Sequence, residues 1–369
     1  MKRIVLVFLL FFSITPIRAQ VLTDAAMRQT ILQALDAIYG YDFATADATI
    51  RQFRARYPQH PAGPMLRASA LIWGNIPLKD SKTATDQFVV AADQTLDLAK
   101  KILQKDKNDP EGVFFALTAH GYLALKSNNE GELMSAVGEA QKAYRYMKQG
   151  FDLTEQNPEF YSTTGLYNYY SVRYPADHPI VKPAMIFFKS GDMPLGLKQL
   201  EVATRRGVFT ANETRFYLAH IFLEHESQFG RAAAVLKTLV DRYPNNPVFL
   251  MRYAETHLLL GQYDAACPLL RRLKQLSQTK LLAMPILVFD GLLAEKETLN
   301  DQVATAHYQA ALKLPYIEAY TKEYHAMAYA GLARIAARAN NRPLARNLYK
   351  KAVDVGEYKS LWKEARAFR

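Results

Sequence analysis

The stretch from Tyr161 to Leu200 decides the fold, because it reads as one pair of helices interrupted by an insert. Its first half is YSTTGLYNYY (161–170), and its second half continues as GDMPLGLKQLEVA (191–203). Gly165 and Gly196 stand where the two helices must touch, since a residue without a side chain lets two backbones approach closely. These two glycines lie 31 residues apart in the chain. In the other helix pairs the equivalent positions are twelve residues apart.

The difference predicts an insert of about nineteen residues, 171–190, a length at which loops tend to be functional or disordered. Its prolines, Pro175, Pro179 and Pro183, favour extended backbone. Its last part, AMIFF (184–188), is too apolar for solvent and is predicted to fold back, with Phe187 and Phe188 as anchors. We expect the insert to cover or complete a binding groove.

A repeated spacing predicts helix pairs along most of the chain. An aromatic or apolar residue is followed by a small residue three positions later, and then by apolar residues four and seven beyond it. From Gly196 onward the small positions are 36, 34, 38 and 41 residues apart, which resembles the tetratricopeptide repeat with its period of 34. The pattern is clearest in Phe43-Ala46-Ile50-Phe53, Phe229-Ala232-Leu236-Leu239 and Tyr263-Ala266-Leu270-Leu273.

The first helix of each pair carries a matching small position twelve residues earlier. Ala34, Ala254 and Ala333 occupy it, whereas His220 stands there in its own repeat. Between 62 and 157 the spacing is less regular and predicts two longer hairpins. The sequence therefore predicts an all-α fold, a right-handed superhelical solenoid of about eight hairpins that forms one domain over residues 20–369.

The middle of the chain also resembles the inclusion body clearance / tetratricopeptide-repeat protein 39 family. The resemblance rests on GLYN (165–168), Ser171, YP (174–175), GD (191–192) and LGL (195–197) with Leu200. It covers about forty residues, and the proline triplet and the N-terminal leader depart from the family pattern. The resemblance implies a role in handling lipid droplets or aggregated protein at membranes.

The N-terminus reads as a secretory signal. Lys2 and Arg3 precede an apolar run from Ile4 to Ile14, and Ala19 offers a small residue for cleavage. We therefore predict a signal peptide over residues 1–19 and export to the periplasm or cell envelope of a bacterium. The single Cys267 permits no intrachain disulfide, so stability must come from core burial.

Without the leader, 43 basic residues face 35 acidic ones, a net charge of about +8. This balance suits an acidic partner or an anionic membrane surface. Export argues against nucleic acid, and the sequence does not fix the oligomeric state. A basic residue late in a helix is also favoured by the helix dipole, and most basic clusters here stand at such positions.

No residue pattern predicts catalysis or a cofactor. His220, Glu224 and His225 lie close in sequence, but neither zinc-protease spacing fits, and no metal site is predicted. Cys267 has no His or basic cluster placed to activate it, so we expect an inert thiol. The sequence thus predicts a protein that is not an enzyme and needs no cofactor.

The candidate partner-binding residues surround the Tyr-rich helix. With Gly165 in the packing position, Tyr169 and Tyr170 point to the concave side, where Tyr suits recognition. The alternative is that these rings pack beneath the insert. The full predicted set is Tyr169, Tyr170, Tyr174, His178, Glu224 and His225.

Two functions follow from this pattern. The first is an exported scaffold that holds a peptide or protein segment in its concave groove. The second is a lipid- or membrane-associated protein, as the family resemblance, the basic charge and the apolar insert suggest.

Overall fold

The structure is a computed structural model that describes residues 24–179, 182, 188–276 and 280–368. The described chain contains seventeen α-helices and no β-strand. The predicted leader and residues 180–181 and 183–187 of the insert, which include Pro183, lie outside the described residues. The helices are α1 (Ala25–Tyr39), α2 (Phe43–Arg56), α3 (Ala62–Gly74), α4 (Lys82–Lys105), α5 (Pro110–Asn129), α6 (Leu133–Leu153), α7 (Phe160–Asp177), α8 (Met193–Arg206), α9 (Ala211–His220), α10 (Phe229–Arg242), α11 (Pro247–Leu259), α12 (Tyr263–Leu276), α13 (Lys280–Lys296), α14 (Asp301–Leu312), α15 (Glu318–Arg338), α16 (Arg342–Val355) and α17 (Lys359–Ala367).

Consecutive helices pair into eight hairpins, from α1/α2 to α15/α16, and α17 follows as a single last helix. This confirms the prediction of an all-α superhelical repeat. The less regular region also forms the two long hairpins expected of it, α3/α4 and α5/α6. None of the described helices is both long and apolar enough to cross a membrane.

The small positions of the repeat are buried between helices, as predicted. The residues at this position in the second helices, and the apolar residues four positions later, all lie in the core. Because the whole pattern is buried, the register read from the sequence is correct in these hairpins. The small residues are Ala46, Gly196, Ala232, Ala266, Ala304 and Ala345.

Helices α7 and α8 make the closest backbone contact predicted from the sequence. A Cβ added to Gly196 would lie 2.8 Å from the carbonyl oxygen of Gly165 and from the amide nitrogen of Tyr169. A Cβ on Gly165 would lie 3.0 Å from the carbonyl oxygen of Gly196. Backbone atoms occupy the space on both sides, so only glycine fits at this crossing.

Short polar side chains fix where many helices begin. Asp42 accepts a hydrogen bond from the Thr45 amide at 3.0 Å, and Asp192 accepts one from the Leu195 amide at 2.9 Å. Such caps bind amides that the first helical turn leaves unpaired, and each contributes about 1 kcal/mol. They set the ends of the hairpins and thereby the orientation of each helix pair.

The insert begins later than the sequence predicts. Helix α7 continues through Ser171 and ends at Asp177, with Pro175 inside its last turn. The expectation of extended backbone at Pro175 is therefore wrong. Proline tolerates this position because it removes only one helical hydrogen bond, close to the helix end.

The returning end of the insert is anchored on helices α6 and α7, as predicted for Phe188. Its ring packs edge-on against Tyr144 with centroids 5.0 Å apart. The Lys189 amide donates to the Tyr144 hydroxyl at 2.9 Å, and the Lys189 carbonyl accepts from Tyr167 at 2.5 Å. The other predicted anchor, Phe187, lies outside the described residues.

The curved stack of hairpins closes on itself. Asp36 of α1 accepts hydrogen bonds from Tyr243 at 2.6 Å and from Arg242 at 2.8 Å. Asn246, which caps α11, donates to the backbone carbonyl of Tyr39 at 3.0 Å. These contacts join the first hairpin to the fifth and sixth, and the first helices of the hairpins surround a central cavity.

Candidate binding site

The central cavity has a volume of about 430 Å³. Its walls come from α3, α5, α9, α11, α13 and α15, which are the first helices of six hairpins, and from Tyr41 in the first. A pocket of this size that several elements surround is the usual form of a binding site in proteins. The cavity is therefore the candidate site.

Aromatic rings cover much of the wall. Trp73 of α3 is held edge-on by Tyr39 and by Phe249, each with ring centroids 5.3 Å away. The contact with Phe249 exists because the solenoid closes, so closure fixes the position of Trp73. The aromatic wall comprises Tyr41, Trp73, Tyr122, Phe216, Tyr217 and Tyr320.

One end of the cavity is polar and is organised by Arg252 of α11. Its guanidinium donates to Glu224 at 2.8 Å and to Glu255 at 2.9 Å. Tyr324 of α15 donates to Glu255 at 3.1 Å, and Tyr358 also donates to Glu255. All five side chains are buried, so the charge of Arg252 is compensated without water. We call these five residues the Arg252 cluster.

The cluster keeps Glu224 ionised. Burial opposes its ionisation, but the charges of His220 and Arg252 outweigh burial and hold the pKa of its carboxyl at about 2. His220 Nδ1 lies 2.9 Å from the Glu224 carboxylate. Glu224 is therefore already engaged by two partners, and it stabilises the wall more than it offers a free charge.

A π-helical turn over Ile221–His225 shapes this end of the cavity. The Glu226 amide donates to the Ile221 carbonyl at 3.0 Å, five residues back instead of four. Such turns insert one extra residue into a helix and are frequent at functional sites. The turn explains why the prediction of His220 as a helix-packing residue is wrong. Ala219 is the buried small residue instead, and His220 lines the cavity.

Four of the six predicted site residues come together at this turn. Tyr169 and Tyr170 lie on α7, and their ring centroids are 6.2 and 5.6 Å from that of His225. Tyr169 is fully buried, and its hydroxyl donates to Glu226 at 2.5 Å. Glu224 faces the cavity, whereas the two tyrosines and His225 form the layer behind its wall.

Burial is the largest cause of the pKa shift of His225. Together with the electrostatic interaction with His220 it lowers the pKa of His225 to about 4, so the His225 ring is neutral at pH 7. The Arg173 side chain donates to the His225 backbone carbonyl at 3.0 Å and fixes the turn from α7. His225 therefore acts here as a packed ring between α7 and the cavity wall.

The other two predicted residues lie apart from this group. Tyr174 and His178 pack against each other in a tilted arrangement at the end of α7, with ring centroids 4.4 Å apart. Tyr174 is half exposed, and neither residue lines the cavity. Asp177, between them, pairs with Lys359 of α17 at 2.6 Å and thereby ties α7 to the C-terminal helix.

Sequence reasoning missed most of the cavity wall. Trp73, Glu213, Arg252 and Glu323 all line it, and none belongs to the predicted set. Each stands on the first helix of its hairpin. Their position there is the only sequence signal that could have indicated them, because first helices form the concave side of a stacked repeat.

The described part of the chain contains no arrangement of side chains suited to metal binding or to thiol chemistry. No group of three or more His, Cys, Asp or Glu side chains within it could hold a metal ion. Cys267 is half-buried, and burial together with Glu297 raises the pKa of its thiol. A raised pKa disfavours the reactive thiolate, which agrees with the inert thiol predicted from the sequence.

A second groove, of about 460 Å³, lies at the C-terminal end between α16 and α17. Tyr349, Trp362 and Phe368 are among its lining residues. Its lining residues come only from α16, α17 and Phe368, at one end of the described solenoid. The central cavity, which six hairpins build, remains the stronger candidate.

One apolar surface lies outside both pockets, at the tip of the α5/α6 hairpin. Met134 is 86% exposed, Leu133 66% and Val137 52%. Grouped exposed apolar side chains mark surfaces that contact proteins or membranes. We call these three residues the α6 tip.

Comparison with known proteins supports the repeat assignment. A tetratricopeptide repeat family model matches residues 223–282, from the π-helical turn to the start of α13. This confirms the resemblance to that repeat over the matched stretch. The finer resemblance to the inclusion body clearance family is not shown by any comparison. A search of curated proteins finds no match.

Solved structures of helical repeats are similar at low identity. Yeast Tom70 is 12% identical with a TM-score of 0.39, covering 91% of this chain and 87% of its own. A human IFIT1 dimer with PPP-AAAA is 12% identical with a TM-score of 0.41, covering 93% and 94%. A tetratricopeptide repeat protein from Parabacteroides merdae is 10% identical with a TM-score of 0.34, covering 83% and 99%. At these scores the similarities carry no argument about partners.

Proposed function

We propose that this protein is an exported, non-enzymatic repeat scaffold that binds a segment of a peptide or protein partner in its central cavity. The observation that carries the proposal is the cavity itself, with its aromatic wall and one polar end. Stacked helical repeats provide concave surfaces of this kind for macromolecular partners. Export rests on the basic start and the apolar run of the leader.

The closed solenoid suits a short segment better than a long one. Contacts between α1 and α10–α11 hold the wall in one shape, so binding need not order it first. Preorganised sites lose less conformational entropy on binding. We therefore expect the cavity to take two or three side chains of the partner, while the rest of the partner lies outside.

Photo-cross-linking tests the proposal. A photoreactive amino acid replaces Met251 or Leu125, which line the cavity from α11 and α5. The matched control carries it at Lys237, an exposed position on α10. We expect both cavity positions to cross-link the same partner segment in cells, identified by mass spectrometry, and Lys237 to give none. Equal adducts at Lys237, or no shared segment at the cavity positions, would overturn the proposal.

The second candidate function is association with a lipid surface, and the α6 tip favours it. Co-sedimentation with phosphatidylglycerol/phosphatidylethanolamine vesicles measures this association directly. If the tip inserts into lipid, Met134→Asp reduces the bound fraction several-fold, since a charged side chain is costly to bury in hydrocarbon. If the parent protein stays in the supernatant, this candidate is excluded.

A further inference from the structure

Carboxylates outnumber cations on the wall of the central cavity. Glu213, Glu224, Glu318 and Glu323 face it, against Arg252, Lys322 and the imidazole of His220. Both full cations are already paired. Arg252 binds Glu224 and Glu255, and Lys322 forms an ion pair with Glu357. Among the described lining residues, no Lys or Arg side chain is therefore left without an ion-pair partner.

Glu213 and Glu323 form no ion pair with any described side chain. Glu213 lies beside Tyr39 and Trp73, which are uncharged. Both oxygens of Glu323 accept from the backbone amide of Glu357, at 3.0 and 3.1 Å. Burial raises the pKa of Glu213, and burial with the charge of Glu224 raises that of Glu323 to about 8. A cation that enters the cavity beside either group would favour its ionised form.

The rest of the wall suits the apolar part of the same ligand. Ile76, Leu125, Met251 and Leu282 line it between the rings. Trp and Tyr faces also attract an organic cation, by about 0.5–2 kcal/mol for each contact. An anionic group would meet the ionised carboxylate of Glu224 on the wall instead, which disfavours a fatty acid or a phosphate in this place.

We infer that the cavity recognises a Lys or Arg side chain of the bound segment, flanked by apolar residues, with the carboxyl group of Glu213 or Glu323 as its partner. The inference rests on the proposed function and names the chemistry that the partner must present. The apolar stem of the side chain lies along the aromatic wall, while its charged end reaches one of these two carboxyl groups and favours its ionised form. Charge complementarity selects this occupant over neutral or acidic segments.

The test uses the fluorescence of Trp73 to report peptide binding in the cavity. The chain has two tryptophans, Trp73 and Trp362, so a Trp362→Phe background leaves only the one that lines the cavity. The probes are three acetylated and amidated pentapeptide pools, identical except for a central Lys, Gln or Glu with mixed apolar neighbours. We expect the Lys pool to change the emission of Trp73 at a concentration at least ten-fold lower than the Gln pool requires. The Glu pool should bind weakest of the three.

Two variants locate the contact. Either Glu213→Gln or Glu323→Gln should remove most of the preference for Lys over Gln, and the variant that does so identifies the partner. Glu201→Gln on α8, outside the cavity, should leave the preference unchanged, and an unchanged preference in all three variants overturns the inference. Equal binding of the Lys and Gln pools by the parent protein overturns the inference, and so does a failure of the Lys pool to bind. Because the three pools are compared on one protein, the Trp362→Phe background, these comparisons do not depend on the stability of the Glu→Gln variants. Shared cross-links at Met251 and Leu125 would still support the proposed function in that case, so the two failures are distinguishable.

Discussion

Asp36 and Tyr243 are 207 residues apart in the chain, yet the Tyr243 hydroxyl donates to the Asp36 carboxylate at 2.6 Å. Stacked repeats ordinarily contact only their nearest neighbours, so their stability is close to a sum of local terms. The contact between Asp36 and Tyr243 adds a long-range term to this sum. It also keeps Trp73 against Phe249, which shapes the cavity.

Asn246→Ala should destabilise the protein more than the loss of a helix cap alone. The Asn246 side chain caps α11 through the Val248 and Phe249 amides and also holds the Tyr39 carbonyl of the first hairpin. Asn300→Ala is the matched control, because exposed Asn300 caps α14 only. We expect a loss of about 1 kcal/mol for the control. The Asn246 variant should lose about 1–3 kcal/mol more, since it also leaves a buried carbonyl unpaired.

Urea denaturation of both variants measures the difference. The same cost for Asn246→Ala and Asn300→Ala would show that the contact with the first hairpin contributes nothing to stability.

Gly196→Ala should destabilise the α7/α8 crossing, because the added Cβ meets backbone atoms of Gly165 and Tyr169. We expect a loss of about 1–3 kcal/mol from overpacking. Gly138→Ala in α6 is the control, and we expect it to change stability in the opposite direction. Its Cβ meets no described atom within 4 Å, and it should stabilise the helix by about 0.5–1 kcal/mol. Thermal unfolding of the two variants decides the matter, and a stabilising Gly196→Ala would mean that the helices lie further apart.

Ala266→Leu and Ala232→Leu should each lower the free energy of unfolding by about 1–3 kcal/mol, because both alanines are buried between helices. Ala265→Leu is the control for Ala266→Leu, since its neighbour Ala265 is exposed on the same helix. It should change stability by less than about 0.5 kcal/mol. Denaturation midpoints measure all three, and equal midpoints for Ala265→Leu and Ala266→Leu would contradict the repeat register.

These packing positions could be predicted from the sequence because they depend only on the spacing of residues that lie close together in the chain. The spacing from Ala232 to Leu236 fixes one helix face, and the distance to the next unit follows from the repeat length. The contact of Gly165 with Gly196 could also be predicted across the insert. The reason is that each half of the interrupted unit keeps its own helical pattern.

The cavity could not be predicted in the same way. Asp36, Tyr243 and Asn246 are ordinary turn and helix-end residues in the sequence, and no pattern indicates that they meet. The π-helical turn places one extra residue before α10 and so moves His220 from the packing position into the cavity. Arg252 pairs with Glu255 three residues later, which is a common spacing on any helix, whereas its partners Glu224 and Tyr358 lie far from it in the sequence.

Glu323 should make stability depend on pH. Burial and the neighbouring Glu224 raise the pKa of its carboxyl from 4.5 to about 8 in the folded protein, while Lys322 and the Glu357 amide act in the opposite direction. Between these two pKa values the folded protein binds the extra proton. The free energy of unfolding therefore falls as pH rises, by at most about 1.4 kcal/mol for each pH unit.

Glu323→Gln removes this dependence, so the variant should gain stability relative to the parent from pH 5 to pH 9. Urea midpoints at pH 5, 7 and 9 measure the gain, with Glu201→Gln as the control for loss of a carboxylate. If the urea midpoints of Glu323→Gln and the parent differ by the same amount at every pH, the pKa of Glu323 is not raised in the folded protein.

Replacing residues 179–187 with a Gly/Ser turn tests whether the insert completes the binding groove. Helix α7 ends before this segment, and Phe188 and Lys189, which anchor the returning end, are kept. Circular dichroism should therefore show the helical content of the parent, while cross-linking of the partner at Met251 should be lost. Retained cross-linking would show that the insert only packs against α6 and α7.

The closed solenoid also imposes an order on its own synthesis. A ribosome adds about 5–20 residues per second, and domains form as their segments emerge. Tyr39 is made 207 residues before its partner Asn246, which corresponds to a delay on the order of 10–40 s at those rates. During that interval the apolar surface of α1 that will face α11 has no native partner. The native contacts of the first hairpin are thus complete only after the sixth hairpin has been made.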